Sequence, residues 1–374
     1  MTPSDDPSRL DVVLAQRLAT QRLTGPATDP ATVVRELLCV QAQDAPLSRY
    51  SIALRTSGTE ASVREAIDSG EIVRTHILRP TWHYVAAEDL RWILQLTSAK
   101  VKSGMAARNR QLGLDEPLIA ASMDALRQRL QQRQFATRKE LGPWFADQPL
   151  FQPSSPLFGQ QVGHTLMLAE LRGLICSGPL KGSEHSYALV EEIIPAARAK
   201  SREEAVTDLV FRFFASHGPV AVRDLVRWTR LTQTEIKRAI AQLDDRVEAV
   251  ELGGDTLWFA PETLKEPVRV RRAFLLSVFD EAFLSYRHAG FPALDDHPSA
   301  DMPNRFTEAG GGPVICDLRD VGTWKRTIRK GAVDITLSMA RSLDAEQRNE
   351  IEHATHRFAE IVGGVARITV DGPG

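Results

Sequence analysis

The sequence has little of what marks a secreted or membrane protein. Its 374 residues include only three widely spaced cysteines, Cys39, Cys176 and Cys316. This odd number argues against a disulfide framework or a cysteine metal site and is typical of a reducing compartment. No run of about 18 apolar residues occurs, so no membrane-spanning helix is expected. Because the first residues also lack the apolar stretch of a signal peptide, the sequence predicts a cytoplasmic protein that does not contact a membrane.

The motifs of several large enzyme classes are missing too. No Gly-x-Gly-x-x-Gly follows a predicted strand and no Walker loop occurs, so no nucleotide cofactor is expected. No Gly-x-Ser-x-Gly elbow is present either. His353 and His356 stand three apart on a predicted helix, a spacing that metal sites use, but no third ligand follows at a suitable distance. The sequence thus predicts neither a cofactor nor a metal ion.

An overall excess of positive charge is also missing. The chain carries 46 lysines and arginines against 48 acidic residues, a formal net charge of −2. Any surface that binds nucleic acid must therefore come from local segregation of charge. Basic residues do predominate locally, at positions 71–110, in KRTIRK at 325–330, and at Arg269, Arg271 and Arg272. Such clusters can neutralise phosphates, although most charged runs are solvated faces.

The sequence does contain a repeated order of predicted elements. In residues 203–260, an amphipathic helix is followed by a second helix and then by a third, which begins with a capping box at Thr232 and Glu235. Two short strands around a glycine turn come next. Three helices and a hairpin in this order form a winged helix, which is a helix-turn-helix with a β-wing.

This order recurs twice upstream, with another capping box at Thr137 and Glu140 in the second copy. The last part of the chain differs, because it combines strands with one long helix. The predicted fold class is therefore α+β, with three tandem winged-helix units and a C-terminal β-rich element. The predicted boundaries are 1–112, 113–198, 199–262 and 263–374.

Two glutamines, Gln41 and Gln43, flank Ala42 at the end of a predicted helix and just before Pro46. Pro46 disfavours helical backbone at the preceding residue, so we expect this helix to end between Gln41 and Asp44. Extended chain there would let both amides converge on one point. An amide orients water but is a negligible base. The pair therefore suits hydrolysis only where the leaving group is already activated, such as a purine made cationic by N7 alkylation. The alternative is a solvated helix end.

A second polar motif, RTHILRPTWH at positions 74–83, is predicted to form a β-hairpin. Alternation along its strands brings polar side chains onto shared faces. We interpret it as a hairpin that contacts phosphates and bases beside the glutamines. The alternative is an edge hairpin that these side chains keep soluble. The residues concerned are Arg74, His76, Arg79, Thr81 and His83.

The stretches VQAQDAPLSRYSIALRT and RTHILRPTWHYV make the sequence similar to the winged-helix DNA-binding family that includes the AlkZ and YcaQ DNA glycosylases. The C-terminal pieces LLSVFDEAFLSYR and VGTWKR resemble that family too, so the resemblance spans most of the chain. The family signature is Gln-x-Gln or Gln-x-Asp in the first winged helix. It matches here as Gln41-Ala42-Gln43, the AlkZ-like form.

The resemblance implies a monofunctional DNA glycosylase that excises N7-alkylguanine, including bulky or cross-linked adducts of genotoxic natural products, in DNA repair or self-resistance. It implies a C-shaped channel that binds double-stranded DNA carrying the lesion. Gln41 and Gln43 would position the water that attacks the anomeric carbon. His83 and Arg79 would lie next to the lesion or its flanking phosphates.

Further residues are expected either at the DNA surface or outside the chemistry. Lys325 and Arg326, in the basic KRTIRK stretch, are predicted DNA contacts. Asp280 and Glu281 are given no catalytic role, because a carboxylate beside an aromatic ring is as often structural. A concave monomer needs no partner subunit. The alternative functions are a non-catalytic DNA-binding protein, such as a regulator or lesion-binding protein, and an array of winged helices that binds other proteins.

Overall fold

The computed structural model describes residues 7–263, 272–286, 291 and 311–372, which form helices around four β-sheets. Three sheets have three strands each and follow one another along the chain, and the fourth, C-terminal sheet has five. The predicted α+β class is confirmed by this content. Within the described part of the chain, no helix combines the length and apolar character needed to cross a membrane.

The first unit has six helices and an antiparallel sheet in the order β1-β3-β2. Its helices are α1 (Pro7–Thr20), α2 (Pro30–Glu36), α3 (Ala45–Leu54), α4 (Glu60–Asp68), α5 (Ala87–Gly104) and α6 (Ala106–Gln111). Its strands are β1 (Cys39–Gln41), β2 (Ile72–His76) and β3 (Trp82–Ala86). Asp29 and Asp44 cap α2 and α3, each accepting a hydrogen bond from a backbone N–H of the helix that it begins.

The second and third units repeat this strand order, as β4-β6-β5 and β7-β9-β8. The second unit contains α7 (Glu116–Leu130), β4 (Ala136–Thr137), α8 (Arg138–Ala146), α9 (Phe158–Leu171), β5 (Ile175–Lys181), β6 (Glu184–Leu189) and α10 (Val190–Ile193). The third contains α11 (Arg202–His217), β7 (Val220–Ala221), α12 (Val222–Thr229), α13 (Gln233–Leu243), β8 (Glu248–Leu252) and β9 (Asp255–Phe259). The capping boxes predicted at Thr137 and Thr232 are confirmed, and another at Ser201 begins α11.

The C-terminal element is a five-stranded sheet covered by a long helix. The sheet follows the order β10-β11-β12-β13-β14, antiparallel except for its last pair, which is parallel. Its elements are β10 (Ala273–Leu275), α14 (Glu281–Leu284), β11 (Gly311–Cys316), β12 (Arg319–Arg329), β13 (Ala332–Met339), α15 (Ala345–Ile361) and β14 (Val365–Asp371). Arg269 and Arg271 of the predicted basic cluster lie outside the described residues.

The helix that precedes the glutamines is shorter than predicted. α2 ends at Glu36, Leu38 adopts a left-handed φ of 67°, and the chain then enters β1, so Gln41 lies in a strand. Pro46 lies in the first turn of α3, where its missing N–H needs no partner. The predicted helix end is wrong because a proline is also common in the first turn of a new helix.

Apolar cores cross the borders between the predicted units. One core joins α5 and β3 of the first unit to the helices of the third, and another joins α2, α3 and α4 to the C-terminal sheet and α15. In the second core, the ring of Tyr50 lies 4.6 Å from that of Phe358. The first unit is therefore held between the third unit and the C-terminal element. The strands of each sheet fall inside one predicted unit, while the boundaries themselves stay a prediction.

Candidate active site

Gln41 is fixed through its backbone and keeps part of its side chain unpaired. It lies opposite His83 in the pairing of β1 with β3. Its backbone N–H donates to Oε1 of Glu281 at 3.0 Å, across 240 positions of sequence. The side chain is buried, and its Oε1 accepts no hydrogen bond from the described residues. Because an unpaired buried acceptor costs about 1–3 kcal/mol, this amide oxygen favours the approach of a donor such as water.

Gln43 extends from the same segment but is exposed. Between the two glutamines, Ala42 donates its N–H to the carbonyl of Trp82 at 2.7 Å, and its own carbonyl accepts from Nη2 of Arg74 at 3.0 Å. The Arg74 guanidinium also lies over the Trp82 ring, 4.3 Å from its centroid. Arg74 thus holds the glutamine segment against β3. β1 ends at Gln41, and Gln43 lies in the bend that follows it, so the convergence of the two amides on one point stays a prediction.

His83 is buried as a neutral ring. Its Nδ1 lies 3.0 Å from the carbonyl of Thr81. A carbonyl only accepts, so Nδ1 carries the proton and Nε2 keeps its lone pair, 3.5 Å from Nη2 of Arg79. Burial, followed by the charge of Arg79, lowers the pKa of His83 to about 3. At neutral pH this ring therefore has no acidic proton to give to a departing base.

The other hairpin residues differ in their exposure. His76 is only 5% exposed, and its Nδ1 forms a hydrogen bond with Oε2 of Glu170 on α9. Arg79 and Thr81 are half-buried at the turn. His83 is fully buried. Direct contact of either histidine with DNA stays a prediction, and it requires the residues that cover these rings to move.

Glu281 belongs to this site, although the sequence gives it no catalytic role. It is fully buried, and beyond its bond to Gln41 its Oε2 accepts from Nε1 of Trp228 at 3.1 Å and Oγ of Ser285 at 2.8 Å. Burial alone would raise its pKa, but the neighbouring His217, the charge of Arg79 and the N–H of Gln41 outweigh burial and lower the pKa to about 2. Glu281 is therefore a fixed anion that ties α12 and α14 to β1. No local pattern in the sequence reveals a contact of this range.

Asp280, the adjacent carboxyl, has a structural role. Arg55 binds it through two hydrogen bonds, of 2.7 and 3.0 Å, and both side chains are buried. Asp280 also accepts from the N–H of Ala282 and so begins α14. This pair fixes the helix that carries Glu281. The described residues contain no group of three histidine, cysteine or acidic side chains placed to hold a metal ion.

Lys325 and Arg326 lie on β12 of the C-terminal sheet. Lys325 is exposed, whereas Arg326 is half-buried with its guanidinium 5.9 Å from the centroid of Phe358. Burial lowers the pKa of Arg326, and the charge of Asp44, next to Gln43, opposes that shift. The structure therefore brings Arg326 within electrostatic reach of the candidate site. A DNA contact by either residue stays a prediction.

The arrangement is suited to orienting groups and poorly suited to moving protons. Two carboxylates border the glutamines, and both are engaged. Asp44 accepts from the N–H of Leu47 at the start of α3, and Glu281 accepts three hydrogen bonds. A separate cavity of about 380 Å³ lies between α3 and α15, lined in part by Tyr50 and His353, and does not include either glutamine. The chemistry is expected at the glutamines rather than in this cavity, because Gln41, Gln43, His83 and Glu281 all lie outside it.

Comparison with known proteins agrees with the fold described above. A family model described as DNA glycosylase AlkZ-like matches residues 34–361. The solved structure of the Streptomyces sahachiroi DNA glycosylase AlkZ is similar to this chain, with a TM-score of 0.75 and 19% sequence identity. The match covers 96% of this chain and 99% of the AlkZ chain. Comparison with curated proteins gives no match. Because the family model covers most of the sequence, this protein belongs to the AlkZ-like DNA glycosylase family, and its predicted class, a DNA glycosylase, is confirmed.

Proposed function

We propose that this glycosylase hydrolyses the N-glycosidic bond of N7-alkylguanine in double-stranded DNA, including bulky and cross-linked adducts. One observation supports this most: the amide oxygen of Gln41 has no hydrogen-bond partner among the described residues, and the neighbouring His83 is neutral. Such a site has no strong acid to protonate the leaving base. It therefore requires a base that already carries positive charge, as guanine does after N7 alkylation.

In this proposal the two glutamines orient the attacking water. Alkylated guanine departs through an oxocarbenium-like transition state, and Gln41 and Gln43 hold water against the anomeric carbon as the bond breaks. Positioning of this kind can lower a barrier by several kcal/mol. A bulky adduct is hard to flip into a closed pocket, so an open, C-shaped channel between the winged helices reads the lesion in place. We propose that the protein does this as a monomer, without a cofactor or metal ion.

The decisive experiment measures base release from a duplex that contains N7-methylguanine, with abasic sites detected by alkaline strand cleavage. Gln43→Ala and the double variant Gln41→Ala/Gln43→Ala are expected to lower the single-turnover rate at least about a hundredfold, the scale of losing one oriented polar group. Binding to the same duplex should change little. Gln131→Ala is the matched control, because Gln131 is an exposed glutamine at the end of α7.

Three outcomes can be separated. Release by wild type and by Gln131→Ala, with loss in the double variant, supports the proposal. Equal rates in wild type and the double variant would show that Gln41 and Gln43 are not the site. Binding without release from both N7-methylguanine and a bulky N7 adduct would show that N7-alkylguanine is not the substrate.

A further inference from the structure

Four basic residues from three segments gather beside the candidate active site. They are Arg79 in the β2–β3 turn, Lys100 on α5, and Arg227 and Arg230 at the end of α12. Nζ of Lys100 donates to the carbonyl of Arg230 at 2.6 Å. Arg227 donates to the carbonyl of Leu284 on α14, the helix whose Glu281 binds β1. The first and third units thus bring cations together that are far apart in the sequence.

These cations keep unused hydrogen-bonding capacity. Nε of Arg79 and Nε of Arg227 are both shielded from solvent, and neither has a hydrogen-bond partner among the described residues. A shielded donor without a partner is unfavourable. Burial lowers the pKa of Arg79, and the nearby charges of Arg227 and Arg230 lower it further. The cluster therefore combines like-charge repulsion with unpaired donors, and an anion relieves both.

The acid at this position is not available to serve as that anion. The charge of Glu281 raises the pKa of Arg79 and offsets part of the repulsion. Its oxygens, however, already accept from the N–H of Gln41, from Trp228 and from Ser285. A ligand with several acceptor oxygens fits better, since guanidinium groups bind phosphate oxygens through paired N–H donors.

We propose that Arg79, Lys100, Arg227 and Arg230 bind one backbone phosphate of the DNA, next to the nucleotide held at the glutamines. The location follows from the hairpin, because Nη2 of Arg79 lies 3.5 Å from Nε2 of His83, the residue paired with Gln41. The inference rests on the proposed function, since it takes DNA as the ligand. The proposal adds residues of the third unit that fix the register of the bound DNA strand.

Arg230 offers a substitution that is expected to leave the fold intact. It is exposed and ends α12 with a left-handed φ of 64°, a backbone conformation that asparagine tolerates better than arginine. Arg230→Asn therefore removes one charge without adding strain. The matched control is Arg198→Asn, which removes an exposed arginine that pairs with Glu204 before α11. Thermal unfolding of both variants checks that each is folded.

The first measurement is the salt dependence of binding to a short duplex that contains one tetrahydrofuran abasic analogue. For each phosphate that the protein no longer neutralises, the negative slope of the logarithm of the association constant against log salt concentration becomes less steep by about 0.9. Because three cations of the cluster remain in Arg230→Asn, this variant should show part of that change, and Arg198→Asn should show none. A slope in Arg230→Asn equal to that of the control would overturn the proposal.

The second measurement places the phosphate. Single uncharged methylphosphonates are introduced one at a time along both strands near the analogue. A methylphosphonate at one position flanking the analogue should weaken binding by the wild-type protein by about the same factor as Arg230→Asn weakens binding to the unmodified duplex. The same methylphosphonate should weaken binding by the double variant Arg79→Gln/Arg230→Asn much less. Equal penalties in wild type and the double variant at every position would refute the shared contact. Base release is measured separately. A phosphate contact without base release would contradict the proposed function alone, and base release without this contact would contradict the phosphate proposal alone.

Discussion

Two basic hairpins have different environments in this molecule. The β2–β3 hairpin carries arginine and histidine, and its Arg74 and His76 are hydrogen-bonded inside the protein, where β2 packs against α9 and β5 of the second unit. The β12–β13 hairpin contains more lysine and arginine, and its residues 327–330 are all exposed, with Ile328 52% exposed. The sequence predicts DNA contacts for both. Their packing indicates that the strands of the first support the candidate-site glutamines and leave only the turn with Arg79 for the proposed phosphate contact, while the second exposes its basic strand ends.

The largest effect that separates the two hairpins is expected from His76→Ala. This change leaves Oε2 of Glu170 buried without its hydrogen-bond partner, which costs about 1–3 kcal/mol. The free energy of unfolding in urea should fall by this amount. The salt dependence of DNA binding should stay that of wild type.

The matched change on the exposed hairpin is Arg329→Ala, which removes the exposed partner of Asp334. Surface pairs contribute about 0–1 kcal/mol, so the free energy of unfolding should change little. Adding Glu170→Gln to His76→Ala should recover part of the stability, because no buried charge then remains. Equal destabilisation in His76→Ala and Arg329→Ala would mean that the two hairpins do not differ in the way their burial indicates.

The next effect depends on pH and distinguishes the β2–β3 hairpin from the β12–β13 hairpin. The pKa of His83 is about 3 in the folded protein, below the ordinary value of about 6.5 expected after unfolding. Between these values the unfolded chain binds more protons, so His83 lowers stability as the pH falls, by about 1.4 kcal/mol per pH unit. Unfolding free energies at pH 7 and pH 5 should therefore diverge less in His83→Gln than in wild type. The β12–β13 hairpin has no histidine and adds no such dependence.

His185 provides the internal reference for that measurement. Its pKa is also lowered to about 3, by burial and by the charge of Arg74. It remains in His83→Gln, so part of the acid sensitivity should persist. A His83→Gln variant as acid-sensitive as wild type would show that His83 is not held neutral by the fold.

The sequence predicted those parts of the fold that depend on neighbouring residues. Capping boxes at Thr137 and Thr232 and the polar hairpin at 74–83 were readable because each is set within a few positions. The strand β1 was not, because three residues after a left-handed Leu38 give no periodic pattern. The contact of Gln41 with Glu281 crosses 240 positions. It depends on how the third unit and the C-terminal element pack on the first, which no local pattern encodes.

The smallest expected effect, Lys325→Gln, tests the exposed hairpin directly. Lys325 lies on the exposed side of β12, so its replacement should change the free energy of unfolding by no more than about 0.5 kcal/mol. If it contacts a phosphate, the negative slope of the logarithm of the association constant against log salt concentration becomes less steep by about 0.9. His76→Ala should show the reverse pattern, reduced stability with an unchanged slope. A Lys325→Gln variant with wild-type slope would remove Lys325 from the predicted DNA surface and leave Arg79, Lys100, Arg227 and Arg230 as the proposed phosphate contact.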